Sequence, residues 1–447
     1  MIHRAEHIIS RIHRLAAISE DEKGITRRYG TPAAIEAGHL VIEWMQAAGL
    51  QTRTDAIGNI RGRWPATDPA AKTLVIASHL DTVVNAGRWD GPLGVLTGLD
   101  ILEALIRQNK RLPFHIELIA FCDEEGVRFH TTYLGSKTLA GSLDPATLQR
   151  TDEQGITLEQ AIRAIGGNPD SLATEALPKE KWLGYFELHI EQGPVLWERN
   201  IPVAPVTAIA GQIRVELQFT GEAGHAGTVP PAMRHDALCA AAEFILGAES
   251  LARASNPSQP AATTSASAAA ASASAVTVTA AGPFLATVGK LHIPNPASNV
   301  IPGETTLSLD IRSADAATLE SAHQQLHTFA EALAKRRGLT LAWNIIQSAD
   351  PVTCDKNMTR LLTDTIRAAG YEPLPLVSGA GHDAVPIAAI APVSMLFVRC
   401  YKGISHNPQE NVETEDLAAA ITVAENFILN LSEIVTNGDI RTNPVGR

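Results

Sequence analysis

The residues best suited to chemistry are a histidine and two aspartates that follow an apolar run at 73–77. His79 and Asp81 lie two positions apart, so on an extended chain they point to the same side. One can then bind a metal ion while the other orients it. Asp90 follows in a segment rich in glycine and proline, which can bring a carboxylate back to the same place. Because sites in open α/β sheets gather at the carboxyl ends of strands, this pattern indicates a metal site.

Three more residues of metal-binding type come later in the chain, namely Glu125, His189 and His406. Mixed histidine and carboxylate ligands suit zinc, and also manganese, cobalt or nickel. Together with the histidine and the second aspartate described above, they make five possible ligands, which is more than one catalytic zinc ion usually binds. They fit two ions if Asp90 bridges them, and such a pair can activate a water molecule. Glu124, beside Glu125, would then act as the general base.

Each of these residues also has a structural interpretation. A histidine at a strand end is often simply packed, an aspartate in a glycine-rich loop often forms a turn, and the acidic run 123–125 could be a solvated turn. Their joint occurrence in one α/β framework favours the metal site. The sequence shows no serine nucleophile elbow and no phosphate-binding loop to compete with it.

Size and composition limit the class of protein. A chain of 447 residues predicts two domains, and its formal charge of −12 argues against nucleic acid as a partner. We see no apolar run long enough to span a bilayer and no signal-peptide core, so no membrane is expected. The four cysteines are far apart and match no zinc or redox spacing. This predicts a reduced, cytoplasmic protein.

The order of apolar and polar segments predicts how the site is positioned. Strands alternate with helices in residues 1–212 and 349–447, which predicts an α/β catalytic domain. Residues 213–348 follow the order β-α-β-β-α-β, which is typical of a ferredoxin-like domain and predicts an insertion into the first. The serine- and alanine-rich stretch 255–281 lacks bulky side chains and reads as a low-complexity loop without an assigned function.

Six motifs, in order along the chain, resemble those of the dinuclear-zinc amidohydrolases related to aminoacylases and zinc-dependent carboxypeptidases. They are residues 78–83, 123–126, 187–194, 224–228, 378–384 and 403–408. The block 187–194 resembles the carbamoylase branch, which contains N-carbamoyl-L-amino acid, allantoate and ureidoglycolate amidohydrolases. The resemblance implies a three-layer catalytic domain of zinc-exopeptidase type and an inserted ferredoxin-like domain that serves as a lid and in dimerisation.

The resemblance also implies that five side chains hold two divalent metal ions, expected to be zinc. One ion would be bound by His79, Asp90 and His189, and the other by Asp90, Glu125 and His406. Asp81 would orient His79, and Glu124 would take a proton from the water and later give it to the leaving nitrogen.

Further residues are implied to bind the substrate. His225 would stabilise the oxyanion, in its own or in the partner subunit, and Asn299 would bind the substrate. Arg312 would pair with a substrate carboxylate through two hydrogen bonds. The remaining residues that would line the pocket are Gln192, Gly381 and His382. Without the resemblance, the first three of these residues would read as structural.

The leading hypothesis is therefore a homodimeric hydrolase that cleaves the carbamoyl or ureido C–N bond of a small carboxylate by attack of a metal-bound hydroxide. Its substrate would be allantoate or an N-carbamoyl-L-amino acid. A second hypothesis is a zinc dipeptidase or aminoacylase with the same metal centre. A third is an inactive metal-binding protein, against which the intact Glu124 argues.

Overall fold

The computed structural model describes residues 1–256 and 282–438. Nearly all of the low-complexity loop predicted at 255–281 lies outside the described residues. The chain divides into two compact units, Met1–Thr207 with Thr353–Arg447, and Ala208–Val352. The sequence-based limits of the inserted domain, 213 and 348, fall just inside the second unit.

The regular elements are numbered here in chain order. The helices are α1 (Ile2–Ala16), α2 (Pro32–Ala47), α3 (Pro92–Arg107), α4 (Leu134–Ala140), α5 (Leu158–Ala164), α6 (Val195–Arg199), α7 (Ala237–Ser255), α8 (Ala316–Arg337), α9 (Lys356–Ala368), α10 (Ala384–Ile387) and α11 (Thr414–Asn437). The strands are β1 (Gln51–Thr54), β2 (Ile60–Trp64), β3 (Thr73–His79), β4 (His115–Phe121), β5 (Trp182–Ile190), β6 (Val203–Ile209), β7 (Gly211–Thr220), β8 (Gly224–His225), β9 (Leu285–His292), β10 (Val300–Ile301), β11 (Glu304–Ser313), β12 (Thr340–Ala349), β13 (Val352–Thr353), β14 (Leu376–Ser378) and β15 (Val393–Val398).

The first unit is built on a nine-stranded sheet in the order β1-β2-β4-β3-β5-β15-β6-β13, with β14 beside β6. Its centre is parallel, since β3 pairs in parallel with β4 and β5, and β15 with β5. Every residue of β3, β4, β5 and β15 is buried. Continuous apolar strands of this kind are expected when helices cover a parallel sheet. The carboxyl ends of these strands therefore meet at one edge, and the mixed α/β class predicted from the sequence is confirmed.

Contrary to the expectation that no apolar run is long enough to span a bilayer, helix α11 has the length and the apolar composition of a membrane span, but 56% of its most apolar window is buried inside the protein. It packs against α1, α9 and β15. A helix that is apolar on most sides is expected in the core of a large unit. The position of α11 explains its composition without a membrane.

The second unit contains a four-stranded antiparallel sheet in the order β12-β7-β11-β9. Along the chain, β7, α7, β9, β11, α8 and β12 give the order β-α-β-β-α-β, which is that of a ferredoxin-like sandwich. Buried and more exposed residues alternate along β7 and β11, so one face of the sheet packs in the core and the other faces out. The lid and dimerisation roles of this unit stay predictions.

The core of the second unit depends on an aromatic cluster around Phe244, which is fully buried. Its ring stacks on Phe329 at 6.0 Å and meets Phe219 and Trp343 edge-on. We expect Phe244→Ala to lower the free energy of unfolding by about 3–5 kcal/mol, because it leaves a cavity among these rings. Urea denaturation measures the loss. Leu246→Ala, on the same helix but 65% exposed, is the control and should change stability by less than about 0.5 kcal/mol. Equal effects of the two changes would contradict this account of the core.

Two parts of the fold were not foreseen. Residues 144–181 are largely polar, but Leu158 and Ile162 of α5 are buried in a small second core with Tyr29 and Phe129. This core is not evident from the sequence because its apolar side chains come from several short segments, none of which is apolar throughout. Strand β6 was missed since Pro205 interrupts its apolar run, and proline normally argues against an inner strand.

Candidate metal centre and active site

The structure brings the five predicted metal ligands into one cluster in the first unit. His79 is the last residue of β3, His189 lies in β5 and Glu125 follows β4, so the parallel strand ends deliver all three to one edge. Asp90 comes from the loop before α3 and His406 from the loop before α11. The local order of strand, polar residues and helix is thus what places these groups together.

Asp90 lies at the middle of this cluster. Its Oδ1 is 3.4 Å from Nε2 of His79 and 3.0 Å from Nε2 of His189. Its Oδ2 is 3.2 Å from Nε2 of His406, which is in turn 3.4 Å from Oε1 of Glu125. Two groups of possible ligands therefore share one carboxylate, with a different oxygen turned to each.

The spacing of these atoms fits divalent cations. Zinc with tetrahedral ligands at about 2.0–2.2 Å places the ligand atoms about 3.3–3.6 Å from one another. The distances of 3.4 Å from His79 to Asp90 and from His406 to Glu125 agree with this. Imidazole nitrogens and carboxylate oxygens are also the donors that zinc and similar metals prefer. The chain thus presents candidate ligand groups for divalent metal ions.

Main-chain carbonyls orient two of the histidines. Nδ1 of His79 is 3.0 Å from the carbonyl oxygen of Asp81, and Nδ1 of His189 is 3.0 Å from that of Ile190. An Nδ1–H that donates to a carbonyl leaves Nε2 unprotonated and turned toward Asp90, as metal binding requires. The carbonyl group of Asp81, more closely than its carboxylate at 3.5 Å, orients His79.

The Asp81 carboxylate has another task in the structure. Its two oxygens accept hydrogen bonds from the main-chain N–H groups of Glu124, at 2.9 Å, and Glu125, at 3.1 Å. One aspartate therefore fixes both the histidine at the end of β3 and the pair of glutamates after β4. From the sequence, Asp81 was expected to orient only His79.

The ionisable groups of the cluster change one another's pKa values. Although burial opposes it, hydrogen bonds to Asp81 and Asp90 raise the pKa of His79 well above its usual value. The hydrogen bond to Asp90 raises the pKa of His406 to about 9, and burial with the charge of Asp90 raises that of Glu125 to about 7. These groups hold protons near neutral pH when no cation is present. Cation binding should consequently release protons and strengthen as pH rises.

Glu124 has the environment of a general base. Burial first, and then the charge of Glu125, raise the pKa of Glu124 well above its ordinary range. Its carboxylate, the imidazole of His79 and the carboxylate of Glu125 form a further group of closely spaced ligand atoms. A carboxylate whose proton affinity is raised, and which lies beside the place where a water would be held, can accept and return a proton.

Gln192 lies against the cluster. Its Nε2 donates to Oδ2 of Asp90 at 2.8 Å and to Oγ of Ser405 at 3.2 Å. Gln192 and His406 both adopt a left-handed backbone, with φ of 57° and 54°. Residues other than glycine rarely adopt this backbone conformation unless the surroundings impose it, and such residues are often found at functional sites.

His382 and Gly381 lie beside the cluster as well. The ring of His382 meets that of His189 edge-on at 4.6 Å, and burial together with the charge of His189 keeps the pKa of His382 well below its usual value. A Cβ atom at Gly381 would lie 1.8 Å from the hydroxyl oxygen of Tyr133, so any larger residue there would require the Tyr133 side chain to move. Tyr133 itself has a left-handed backbone, with φ of 65°.

The other three predicted substrate residues belong to the second unit. Val300 pairs with His225 in the short ribbon of β8 and β10, and the main-chain N–H of Ala226 donates to the carbonyl of Asn299 at 2.9 Å. His225 and Asn299 are thus neighbours, and both are exposed. Arg312 lies on β11, away from that ribbon in sequence.

Two residues at the metal centre were not singled out from the sequence. Glu410 accepts hydrogen bonds from the main-chain N–H groups of Trp89, at 2.7 Å, and Asp90, at 3.0 Å. Oγ of Ser405 donates to Oδ2 of Asp90 at 3.0 Å. Ser405 lies within the motif at 403–408. Glu410 lies two residues beyond that motif, and no pattern in the sequence marks it as functional.

Comparisons with known proteins cover both units. Residues 75–430 match peptidase family M20/M25/M40. The chain is 36% identical to "Allantoate deiminase 2" of Glycine max over 96% of this chain and 89% of that protein. It is 35% identical to the "N-carbamoyl-L-amino acid amidohydrolase" of Geobacillus stearothermophilus, over 96% and 99% of the two chains. Among solved structures, an amidase of the hydantoinase/carbamoylase family from Burkholderia multivorans superposes with a TM-score of 0.84 at 29% identity, over 96% and 98% of the chains.

Proposed function

The chain belongs to peptidase family M20/M25/M40, and we propose that it cleaves the carbamoyl or ureido C–N bond of a small carboxylate. The resemblance read from the six sequence motifs is confirmed, and so is the class of amidohydrolase. The observation that carries the proposal is the Asp90 carboxylate shared by two ligand groups beside Glu124. The substrate is of the allantoate or N-carbamoyl-L-amino acid type, since full-length relatives bear the names of enzymes for these compounds.

The proposed reaction assigns a task to each part of the cluster. Two divalent cations, held by the ligand groups that share Asp90, would lower the pKa of a water molecule and polarise the substrate carbonyl. Glu124 takes a proton as the water oxygen adds to the carbonyl carbon, and gives it to the nitrogen as the C–N bond breaks. Asp81 keeps the main chain of Glu124 in place during both transfers. Cleavage of this bond leaves a carbamic acid, which breaks down on its own, so the final products are ammonia and carbon dioxide with a free amino acid or a ureido acid.

The second unit would supply the remaining substrate contacts. We assign the developing oxyanion to His225, a polar substrate contact to Asn299 and the substrate carboxylate to Arg312. His225 and Asn299 lie side by side on one exposed ribbon, which supports a common task. We also propose that the protein is a cytoplasmic homodimer that associates through this unit.

A substrate panel tests the proposal. Metal-reconstituted protein is assayed with allantoate, ureidoglycolate and N-carbamoyl-L-amino acids, and with N-acyl amino acids and dipeptides for comparison. Turnover of a ureido or carbamoyl substrate, measured as ammonia release, supports the proposal. Turnover of only N-acyl amino acids or dipeptides would assign the protein to the aminoacylase or dipeptidase activity instead. Full metal loading without any turnover would indicate a binding protein.

Arg312 provides a separate test of how the carboxylate is recognised. Its Nε and Nη2 donate to the two oxygens of Asp310, on the same strand, at 2.8 and 3.1 Å. We expect Arg312→Lys to raise KM by about 10- to 100-fold with little change in kcat, because lysine cannot offer a planar pair of donors. Steady-state kinetics on a ureido acid and its carboxamide measure the effect, and the variant should lose the preference for the acid.

A matched control is Arg253→Lys. Arg253 is an exposed arginine of α7 in the same unit and pairs with Glu249. Its replacement should leave KM unchanged. If Arg312→Lys also leaves KM unchanged, the carboxylate is recognised elsewhere.

A further inference from the structure

A buried arginine outside all six motifs lies behind the metal centre. Arg27 is only 1% exposed, although it carries the longest cationic side chain and lies in a loop between α1 and α2. We propose that Arg27 is a positioning residue that holds the end of β3 in the geometry required for cation binding. The inference rests on the metal centre of the proposed function but not on the identity of the substrate.

The guanidinium ties two separate segments together. Its Nε donates to the carbonyl of Leu80 at 3.1 Å, and its Nη1 donates to the carbonyls of Leu15 at 2.9 Å and Ile18 at 3.2 Å. Leu80 lies between His79 and Asp81, and its carbonyl belongs to the peptide group that joins it to Asp81. The side chain therefore clamps the metal-binding loop to the end of α1.

The main chain of Arg27 also forms hydrogen bonds with this loop. Its N–H donates to Oγ1 of Thr82 at 3.0 Å, and the N–H of Thr82 donates back to the carbonyl of Arg27 at 3.1 Å. Side-chain and main-chain bonds thus fix Leu80 and Thr82, the residues on either side of Asp81. Because the residues before and after Asp81 are both held in place, Asp81 has little freedom to move.

The charge of Arg27 matches the site it supports. In the described part of the chain, all hydrogen bonds from its guanidinium go to main-chain carbonyls, and no carboxylate lies within salt-bridge distance. Burial lowers the pKa of Arg27 to about 10, partly offset by the charge of Asp81, so the group is a cation at neutral pH. An isolated buried cation is strongly unfavourable. The Asp81 carboxylate is the negative charge that offsets it.

Movement of Asp81 would disturb the metal centre through three hydrogen bonds. The carbonyl of Asp81 accepts from His79, and its carboxylate accepts from the N–H groups of Glu124 and Glu125. Loss of Arg27 would therefore misplace two metal ligands and the general base, without removing any atom that touches cation or substrate. Outer partners of metal ligands commonly change metal affinity by about 10- to 100-fold when they are replaced.

A purely structural role would give a different result, and Arg11 provides the comparison. Arg11 is likewise a buried arginine, at 9% exposure, but its Nη2 binds Glu103 at 2.6 Å and its guanidinium lies over Trp44. It makes none of the contacts to residues 79–82 described above. Methionine at either position removes a buried guanidinium, so both variants should be less stable.

The experiment compares Arg27→Met, Arg27→Lys and Arg11→Met in the full chain. Zinc affinity is measured by competition with a chromophoric chelator, folding by circular dichroism and thermal melting, and kcat and KM with a ureido substrate. We expect both methionine variants to melt earlier, but only Arg27→Met to bind zinc at least about 10-fold more weakly, with kcat reduced in parallel. Arg27→Lys should fall between wild type and Arg27→Met, since it keeps the charge but not the fork of donors.

Other results would overturn the inference. Zinc affinity of folded Arg27→Met equal to that of Arg11→Met would show that Arg27 serves stability alone. If Arg27→Met does not fold, Arg27→Lys decides, and wild-type zinc affinity in that variant would reject the role. A wild-type protein that binds zinc but cleaves no ureido compound would reject the proposed function while leaving the zinc comparison intact.

Discussion

Glu124→Gln is expected to lower kcat by about 10³- to 10⁴-fold while leaving the bound metal and KM nearly unchanged. Glutamine keeps the shape of the side chain but cannot accept the proton of the attacking water. The main-chain N–H of residue 124 would still donate to Asp81, so the position of the loop should be retained. Metal content by elemental analysis, together with steady-state kinetics across pH, measures the effect.

The control is Glu103→Gln, because Glu103 and Glu124 are both 9% exposed glutamates of the first unit. Glu103 pairs with Arg11 and lies outside the metal cluster, so its replacement should lower stability and leave kcat unchanged. Loss of metal from Glu124→Gln would show instead that Glu124 is a ligand, which its spacing to His79 and Glu125 permits. Retention of more than about a tenth of wild-type kcat would remove it as the base.

The sequence predicted the parts of this site that depend on strand ends. The limits of β3, β4 and β15 can be read from continuous apolar runs, and parallel pairing then brings His79, Glu125 and His189 to one edge. Asp90 could be placed as the bridge because it lies in the loop that leads from β3 back into α3. These inferences need only local pattern and the geometry of parallel sheets.

The sequence could not predict the groups that support these ligands. Glu410 and Arg27 reach the site from loops that no periodicity marks, and each acts on main-chain atoms rather than on side chains. Their identity depends on long-range packing, which a single sequence does not display. The second task of Asp81, holding the N–H groups of the two glutamates, likewise appears only once β3 and β4 are paired.

The shared carboxylate has the largest expected effect after the base. We expect Asp90→Asn to bind fewer divalent ions per chain than wild type after reconstitution and to lower kcat/KM by more than about 10³-fold. Three histidines face the two oxygens of Asp90, and its negative charge is what makes room for two cations in a buried site. An amide is neutral and offers a single ligand oxygen, so it can serve one group but not both.

Proton release gives this prediction a readout that is independent of turnover. Hydrogen bonding to Asp90 is the main reason that the pKa of His406 is raised to about 9, so cation binding to the wild-type chain at pH 7 must displace that proton. In Asp90→Asn the pKa of His406 should fall, and calorimetry in two buffers should record fewer protons released. Asp100→Asn is the control, since Asp100 is buried to a similar degree but belongs to a separate group with His7 and Glu103. If Asp100→Asn loses metal and Asp90→Asn does not, the cations bind at that second group, and the catalytic assignment made from the first unit's strand ends is wrong.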